Sequence, residues 1–133
     1  TSGYSSDIER VLNTDKIIEY QKFVRNVSIS KEVQDYAVRI VLATHPEEQI
    51  ATPKVKSFLR FGASPRAAQT LVLGGKVRAL LADRNEVDFE DIKGVMLPAL
   101  RHRCILNFEA EAEAITCDDI LINLVETLPT KTI

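Results

Sequence analysis

Apolar residues recur at helical spacing in several parts of the chain, separated by short polar stretches and by prolines. Thr14 can cap a helix over about residues 15–25, and Ser30 can cap a second helix that stops near His45, since Pro46 cannot continue it. The apolar positions of these two helices are Ile17, Ile18, Tyr20, Phe23, Val24 and Val27, then Val33, Tyr36, Ala37, Ile40 and Val41. Both helices are therefore predicted to be amphipathic.

The segment from Pro46 to Arg60 is less regular. Pro53 is suited to open a short helix that carries Val55, Phe58 and Leu59. A loop of this length is often functional or a variable insertion.

The longest apolar pattern follows Ser64 and predicts a helix that is apolar around more than half of its circumference. Its apolar positions are Ala67, Ala68, Leu71, Val72, Val77, Leu80 and Leu81. We expect this helix to be central and the most buried. Gly74 and Gly75 lie in its middle, where each costs about 1 kcal/mol relative to alanine, so another helix is expected to approach closely there. Residues 82–86 end the helix.

The next helix begins at Asp88, with Asp91 placed for a capping box, and Pro98 is expected to bend it near Gly94. Its predicted inner face consists of Phe89, Ile92, Val95, Met96 and Leu100. The basic sequence Arg101-His102-Arg103 follows, at a helix end where positive charge suits the dipole.

Residues 104–115 contain Glu109, Glu111 and Glu113 and are predicted to form a solvated acidic connection. Thr116 then caps a last helix that Pro129 closes. The whole pattern predicts an all-α bundle of about five helices over residues 14–133. Residues 1–13 are expected to be a flexible lead-in or linker.

Composition limits the classes of function. The 133 residues include 17 basic and 19 acidic side chains, for a net charge of −2, so no overall field directs the protein to nucleic acid or to an anionic membrane. No apolar run approaches the roughly 20 residues that span a bilayer, and a cytoplasmic location is expected. Cys104 and Cys117 lack the spacing of a metal or redox motif and are expected to be reduced thiols.

No catalytic motif is visible. The sequence contains no GxxxxGK[ST] phosphate loop, no GxGxxG fingerprint and no HExxH zinc motif. It also contains no recognisable nucleophile setting. We therefore expect neither a catalytic residue nor a metal site in this chain, and no catalysis by the chain alone.

One stretch, Phe61-Gly62-Ala63-Ser64-Pro65-Arg66-Ala67-Ala68, is electrostatically unusual. Gly62 is suited to backbone angles that other residues resist, Ser64 to a helix cap and Pro65 to the first helical position. Arg66 then falls in the first turn, where the helix dipole favours an anion instead. Arg66 either meets a phosphate or pairs with a carboxylate of a neighbouring helix, and its residue type and position alone favour the second alternative.

The sequence of this stretch resembles the sensor-2 segment in the lid of AAA+ ATPases, in particular that of the MoxR branch. The similarity continues in Val87-Asp88-Phe89-Glu90-Asp91-Ile92-Lys93 and in Leu97-Pro98-Ala99-Leu100-Arg101-His102-Arg103. It covers about residues 14–129. The resemblance implies the C-terminal lid of an ATPase whose core, with its phosphate loop and magnesium-binding acids, lies outside these residues.

By resemblance, Arg66 senses the γ-phosphate of ATP, and Ala63, Ser64, Pro65 and Ala67 lie close to the nucleotide. ATP and magnesium would be held by the core domain. The implied partners are that core, neighbouring subunits of a homo-oligomeric ring, expected to be a hexamer, and client proteins with von Willebrand A domains in a chaperone-like maturation machine. Neither membrane nor nucleic acid is an expected partner.

Two alternatives stay open. The chain resembles, less specifically, the lid of another AAA+ branch such as the magnesium chelatases. It is also compatible with a helical protein- or DNA-interaction module, because phosphate contacts are made by basic side chains. The basic residues for such a module are Arg60, Arg66, Lys76, Arg78, Arg101 and Arg103.

Overall fold

The computed structural model describes residues 9–130, which form seven helices and four very short strands. In chain order they are α1 (Thr14–Arg25), β1 (Ser28–Ile29), α2 (Lys31–Ala43), α3 (Pro53–Phe58), β2 (Leu59–Phe61), α4 (Arg66–Leu81), β3 (Glu86–Val87), α5 (Phe89–Leu100), β4 (Ile105–Leu106), α6 (Phe108–Ala112) and α7 (Cys117–Thr127). The predicted all-α class is confirmed. Residues 1–8 of the predicted lead-in lie outside the described residues.

Helix α6 was not predicted. It lies in the stretch that the sequence pattern indicated as a solvated acidic connection, and Asn107 caps it by accepting a hydrogen bond from the Ala110 amide. Ala110 is fully buried, whereas the three glutamates of this stretch are exposed as expected. A single buried alanine in five helical residues is too short a pattern for a periodicity argument to detect.

Helix α4 has the predicted central position, because it packs against α5, α2 and α1. It is not the most buried helix, since it buries four residues whereas α2 buries six. Val77 and Leu81, predicted as apolar contacts of α4, are 41% and 82% exposed. The apolar circumference of α4 is wider than the surface that its neighbours cover within residues 9–130.

The predicted close approach at the two glycines of α4 is confirmed. A Cβ atom at Gly75 would lie 2.9 Å from Cδ1 of Ile92, and one at Gly74 would lie 3.1 Å from Cγ1 of Val95. Both neighbours belong to α5. Helices α4 and α5 can approach each other this closely only because glycine has no side chain. This close approach explains why two glycines occupy a helix interior.

The helix starts mostly follow the sequence prediction. Ser30 caps α2, and both α5 and α7 begin with capping boxes in which Asp88 or Thr116 is the first residue. The predicted cap of α1 was wrong: Thr14 is the first helical residue, and Asn13 accepts the hydrogen bond from the Lys16 amide. Asparagine and threonine are both common N-cap residues, and the sequence pattern placed the N-cap of α1 one residue too late.

An ion pair closes the end of the α4–α5 unit away from residue 66. The guanidinium of Arg84 donates two hydrogen bonds to the carboxylate of Asp91, at 2.9 and 2.7 Å. Asp91 is buried, and its carboxylate also accepts a hydrogen bond from the Asp88 amide at 3.0 Å. Burial alone would raise the pKa of Asp91, but these hydrogen bonds outweigh it, and the pKa lies below its ordinary value.

Helix α1 contributes no buried residue. Its apolar side chains rest on α4 only in part: Ile17, Tyr20 and Phe23 remain 46%, 51% and 60% exposed. Ile17 and Tyr20 line an apolar groove of about 690 Å³ together with Leu73 and Val77 of α4. The predicted apolar side of α1 exists, but within residues 9–130 it is only partly covered.

The strands form two small pairs, β1 with β3 in parallel and β2 with β4 in antiparallel orientation. In the second pair Phe61 is opposite Ile105, so the segment that enters α4 lies beside the segment that leaves α5. Pro98 lies inside α5 without ending it. The bend expected near Gly94 stays a prediction.

Candidate functional site

Arg66 is the first residue of α4 and is exposed to solvent. Its carbonyl accepts a hydrogen bond from the Thr70 hydroxyl at 3.1 Å, but among residues 9–130 its guanidinium forms no salt bridge. Pairing with a carboxylate of a neighbouring helix was the simpler interpretation of this residue. That pairing is not observed, so the cation at the start of the helix is available to an external anion.

The other predicted site residues divide into two groups. Ser64 and Pro65 are exposed beside Arg66, whereas Ala63 and Ala67 are fully buried and contribute to the core. The part of the segment that an external ligand can reach therefore consists of residues 64–66. Small side chains at the two buried positions let the segment pack closely on the helices beneath it.

Ser64 does not cap α4 with its side chain. Pro65 occupies the N-cap position, and no side chain forms a cap hydrogen bond there. Instead, the carbonyl of Ser64 accepts the Ala67 amide at 2.8 Å, and that of Pro65 accepts the Ala68 amide at 3.1 Å. The predicted cap at Ser64 and first helical residue at Pro65 are therefore each one residue early, because a turn precedes the helix.

Two residues at the end of α2 hold the segment in place. The amide of Ala63 donates a hydrogen bond to Thr44 Oγ1 at 2.9 Å, and the carbonyl of Ala63 lies 2.9 Å from Nε2 of His45. Because a carbonyl only accepts, this ring nitrogen of His45 carries the proton. Both backbone polar groups of Ala63 are thus satisfied by consecutive side chains.

Gly62 has a role different from the predicted one. Within the described residues no glycine has a positive φ, so conformational freedom does not explain this position. A Cβ atom here would lie 2.6 Å from both the carbonyl oxygen and Oγ1 of Thr44. Glycine is required because the segment passes directly over the end of α2.

The thiol of Cys104 lies next to Ala63 and Thr44 and is hydrogen-bonded to the thiol of Cys117, and both cysteines are free, as predicted. The hydrogen bond to Cys117, together with burial, raises the pKa of the Cys104 thiol, although the Ala63 amide and the Thr44 hydroxyl act in the opposite direction. The hydrogen bond with Cys104 lowers the pKa of Cys117. Spacing along the chain gave no indication that the two thiols meet.

The basic cluster after α5 is divided by the fold. Nη2 of Arg101 lies 2.8 Å from Oδ2 of Asp118, whereas Nε of Arg103 donates to the carbonyl of Ala99 at 2.9 Å. The latter contact confirms that positive charge compensates the end of the helix. His102 is exposed. The cluster therefore does not act as one surface.

Sequence reasoning missed Thr44 and His45 as parts of the site. Their signal was weak: they occupy the two positions before Pro46, where a helix end was already predicted, and a threonine at a helix end has many ordinary explanations. Their contacts span 18 and 19 positions of sequence, which no local pattern detects.

The charge at the start of α4 is of the sign that attracts an anion. An exposed guanidinium stands where helix amides and the dipole also favour negative charge. Among residues 9–130, no group of three or more His, Cys, Asp or Glu side chains is placed to hold a metal ion. The geometry is that of a helical domain with an exposed arginine, Arg66, at the start of its central helix.

This class of protein is recognised by comparison. The family model of the AAA lid domain matches residues 53–123, from α3 into α7. The chain belongs to the AAA lid domain family. The lid fold predicted from the resemblance of residues 61–68 is confirmed.

The more particular similarity is to MoxR proteins. The chain is 32% identical to Chaperone MoxR1 of Mycobacterium tuberculosis over 120 residues, covering 90% of this chain and 32% of that protein. It is 31% identical to the uncharacterised protein YeaC of Bacillus subtilis over 116 residues, covering 86% of this chain and 33% of that protein. The chain thus spans about a third of the length of these relatives.

A solved structure supports the same assignment. The crystal structure of a provisionally designated ATPase from Cytophaga hutchinsonii superposes with a TM-score of 0.82 at 33% identity. The match covers 86% of this chain and 35% of that one. The chain is therefore the lid of a MoxR-like AAA+ ATPase.

No helix in residues 9–130 combines the length and the apolar character needed to cross a bilayer.

Proposed function

We propose that this lid closes over ATP bound to a separate core domain and senses its γ-phosphate through Arg66. The observation that carries the proposal is the exposed guanidinium at the start of α4, which has no salt bridge within residues 9–130. Membership of the AAA lid family suggests which anion Arg66 would meet. The remaining two thirds of a MoxR-like ATPase would bind ATP and its magnesium ion.

The residues around Arg66 favour such a role. Arginine forms bidentate hydrogen bonds to phosphate and keeps its charge at any physiological pH. Hydrogen bonds with Thr44 and His45 fix the backbone of Ala63. Ser64 and Pro65 connect this fixed point to Arg66, so the backbone that carries the Arg66 guanidinium is held in place. A rigid support reduces the entropy lost when the anion binds.

In this proposal, hydrolysis changes the anion that Arg66 meets and thereby loosens the closed lid. Loss of the γ-phosphate removes a charge-assisted contact that holds the lid to the core. The lid would pass this motion to a neighbouring subunit of a ring, for which we propose a hexamer. A chaperone-like role, with client proteins that contain von Willebrand A domains, follows from the resemblance alone and is part of the same proposal.

The exposed apolar surface of α1 supports contact with the core or with a neighbouring subunit. Large apolar side chains that remain half-exposed next to one another typically mark protein interfaces. Tyr20 and Phe23 of α1 and Leu81 of α4 line the same apolar groove on this surface.

The alternative of a DNA-binding helical module loses support from the charges. Arg101 is paired with Asp118, the guanidinium of Arg78 lies 4.0 Å from Asp91, and Lys76 donates to the carbonyl of Arg25. A lid from a magnesium-chelatase-like branch would use the same surface. The similarity to Chaperone MoxR1 favours the MoxR branch.

The test is Arg66→Ala in the full-length protein, with Arg60→Ala as the control. Arg60 is also exposed, but its guanidinium stacks over the ring of Phe61 at 5.2 Å. Losing a charge-assisted contact worth about 1.5–3 kcal/mol weakens ATP binding by roughly 10- to 100-fold and abolishes coupled turnover. The control should bind ATP like the parent. Parental affinity and turnover in Arg66→Ala would refute the sensing role.

A further inference from the structure

Helices α4 and α5 bring a second arginine to the same end of the domain as Arg66. Arg103 follows α5, and its Nε donates to the carbonyl of Ala99 at 2.9 Å. Its Nη2 lies 3.5 Å from the hydroxyl oxygen of Thr70. Thr70 is one turn after Arg66 on α4 and is hydrogen-bonded to its carbonyl at 3.1 Å. The guanidinium of Arg103 therefore lies beside the first turns of α4.

The two arginines lack compensating carboxylates within residues 9–130. The salt bridges of that part of the chain include Arg101 with Asp118, but neither Arg66 nor Arg103. Both side chains belong to residues next to the first turns of α4, where the helix start adds positive potential. An anion bound at this end of α4 would be attracted by both charges.

Helix-end compensation accounts for only part of Arg103. A guanidinium has five N–H donors, and the Ala99 carbonyl uses one, at Nε. The contact with Thr70 is long and weak, so the Nη side of the fork remains largely available. Arg103 is also partly buried, whereas Arg66 is exposed. Its guanidinium is thus held in position before any ligand arrives.

We propose that Arg103 is a second anion-contacting residue of this site and binds the phosphate chain of the nucleotide when the lid closes. The inference rests on the proposed function of Arg66. It adds a residue that is anchored on α5, so that both halves of the α4–α5 unit would contact the same ligand. Closure would then depend on the relative position of these two helices.

The experiment compares Arg103→Gln, Arg103→Lys, Arg66→Ala and Arg101→Gln in the full-length protein. Equilibrium binding of MgATP and MgADP is measured with fluorescent analogues, and thermal melting is measured without nucleotide. We expect Arg103→Gln to weaken MgATP binding by about 10-fold or more, from the loss of charge-assisted hydrogen bonds. Arg103→Lys should recover part of the affinity, since lysine keeps the positive charge but cannot form the bidentate hydrogen bonds of a guanidinium. Arg101→Gln should bind within about 2-fold of the parent.

The outcomes separate this inference from the function on which it rests. If Arg66→Ala loses affinity and Arg103→Gln does not, Arg103 serves only to cap the helix, and the inference fails alone. If neither variant loses affinity, nucleotide sensing by this surface fails as well. A loss of affinity in Arg103→Gln that Arg103→Lys does not recover at all, accompanied by a melting temperature lowered equally in both, would also overturn the inference, because it indicates a structural role.

Discussion

The hydroxyl of Thr44 connects the end of α2 to the segment that leads into α4. It donates to the carbonyl of Val41 at 2.6 Å and accepts the amide of Ala63 at 2.9 Å, and Thr44 is fully buried. The orientation of Arg66 thus depends on a residue that lies 22 positions earlier in the chain.

Thr44→Val should destabilise the protein by about 1–3 kcal/mol, because the buried amide of Ala63 would lose its hydrogen-bond partner. Valine has a similar shape, so the loss reports the hydroxyl and not a cavity. Thr44→Ser keeps the hydroxyl and is the control, with a smaller expected effect. Urea denaturation of the purified chain measures both. Equal stability of Thr44→Val and the parent would show that the hydroxyl does not support the segment.

Two glycines allow a matched comparison of steric role. A Cβ atom at Gly62 would lie 2.6 Å from backbone atoms of Thr44, whereas one at Gly94 would meet, also at 2.6 Å, only the guanidinium of Arg78, which is exposed and flexible. We expect Gly62→Ala to lower the free energy of unfolding by about 1–3 kcal/mol through overpacking. Gly94→Ala should raise it by up to about 1 kcal/mol, because alanine favours the interior of α5.

The same denaturation series measures both variants. Gly62→Ala with parental stability would mean that the end of α2 moves away without cost. A destabilised Gly94→Ala would mean that the position of Arg78 matters more than its exposure indicates.

Local patterns predicted the helices well because each long helix carries its own apolar period and cap. The capping boxes at Asp88 and Thr116 and the close approach of a helix at the two glycines of α4 were predicted from short windows of sequence, although that helix was not identified as α5. The same windows failed at α6, where only one alanine is buried, and at the wide apolar surface of α4, whose coverage depends on which helices pack there.

The site was predictable only where its chemistry is local. The position of Arg66 at a helix start was predicted from the sequence, but the contacts of Ala63 with Thr44 and His45 join residues far apart in sequence. The position of Arg103 beside Thr70 likewise depends on the packing of α5 against α4. Such relations arise from tertiary packing, which the period of one helix does not encode.

Acidification should destabilise the fold through Asp91. The pKa of this carboxyl lies below its ordinary value of about 3.9, because hydrogen bonds from Arg84 and from the Asp88 amide overcome the effect of burial. Its contribution is therefore complete above about pH 4 and is lost as the pH falls through the lower pKa of the folded state. Unfolding free energies measured between pH 3 and pH 7 should show this loss.

Asp91→Asn removes the titrating group and should reduce the slope of stability below about pH 4. Its stability at pH 7 should be lower than that of the parent, because Arg84 loses its buried partner. An acid slope identical to that of the parent would assign the effect to other carboxyl groups.

The two thiols should differ in reactivity. The hydrogen bond with Cys104 lowers the pKa of Cys117, which is partly exposed, whereas Cys104 is buried and its pKa is raised. Since the thiolate is the reacting form, iodoacetamide at pH 7.5 should modify Cys117 first. Mass spectrometry of the digested protein measures the two rates. Cys104→Ala should slow the modification of Cys117, and an unchanged rate would argue against the hydrogen bond as the cause.

The partly uncovered side of α1 should contribute little to the stability of the isolated chain. Phe23 is 60% exposed, so Phe23→Ser is expected to change the free energy of unfolding by less than about 1 kcal/mol, whereas Leu71→Ala, at a fully buried position, should cost about 2–5 kcal/mol. If this surface contacts the rest of the ATPase, Phe23→Ser should lower the stability of the full-length protein more than that of the isolated chain. Denaturation of both forms measures the difference. Equal effects in the two forms would show that the surface of α1 has no partner within the ATPase.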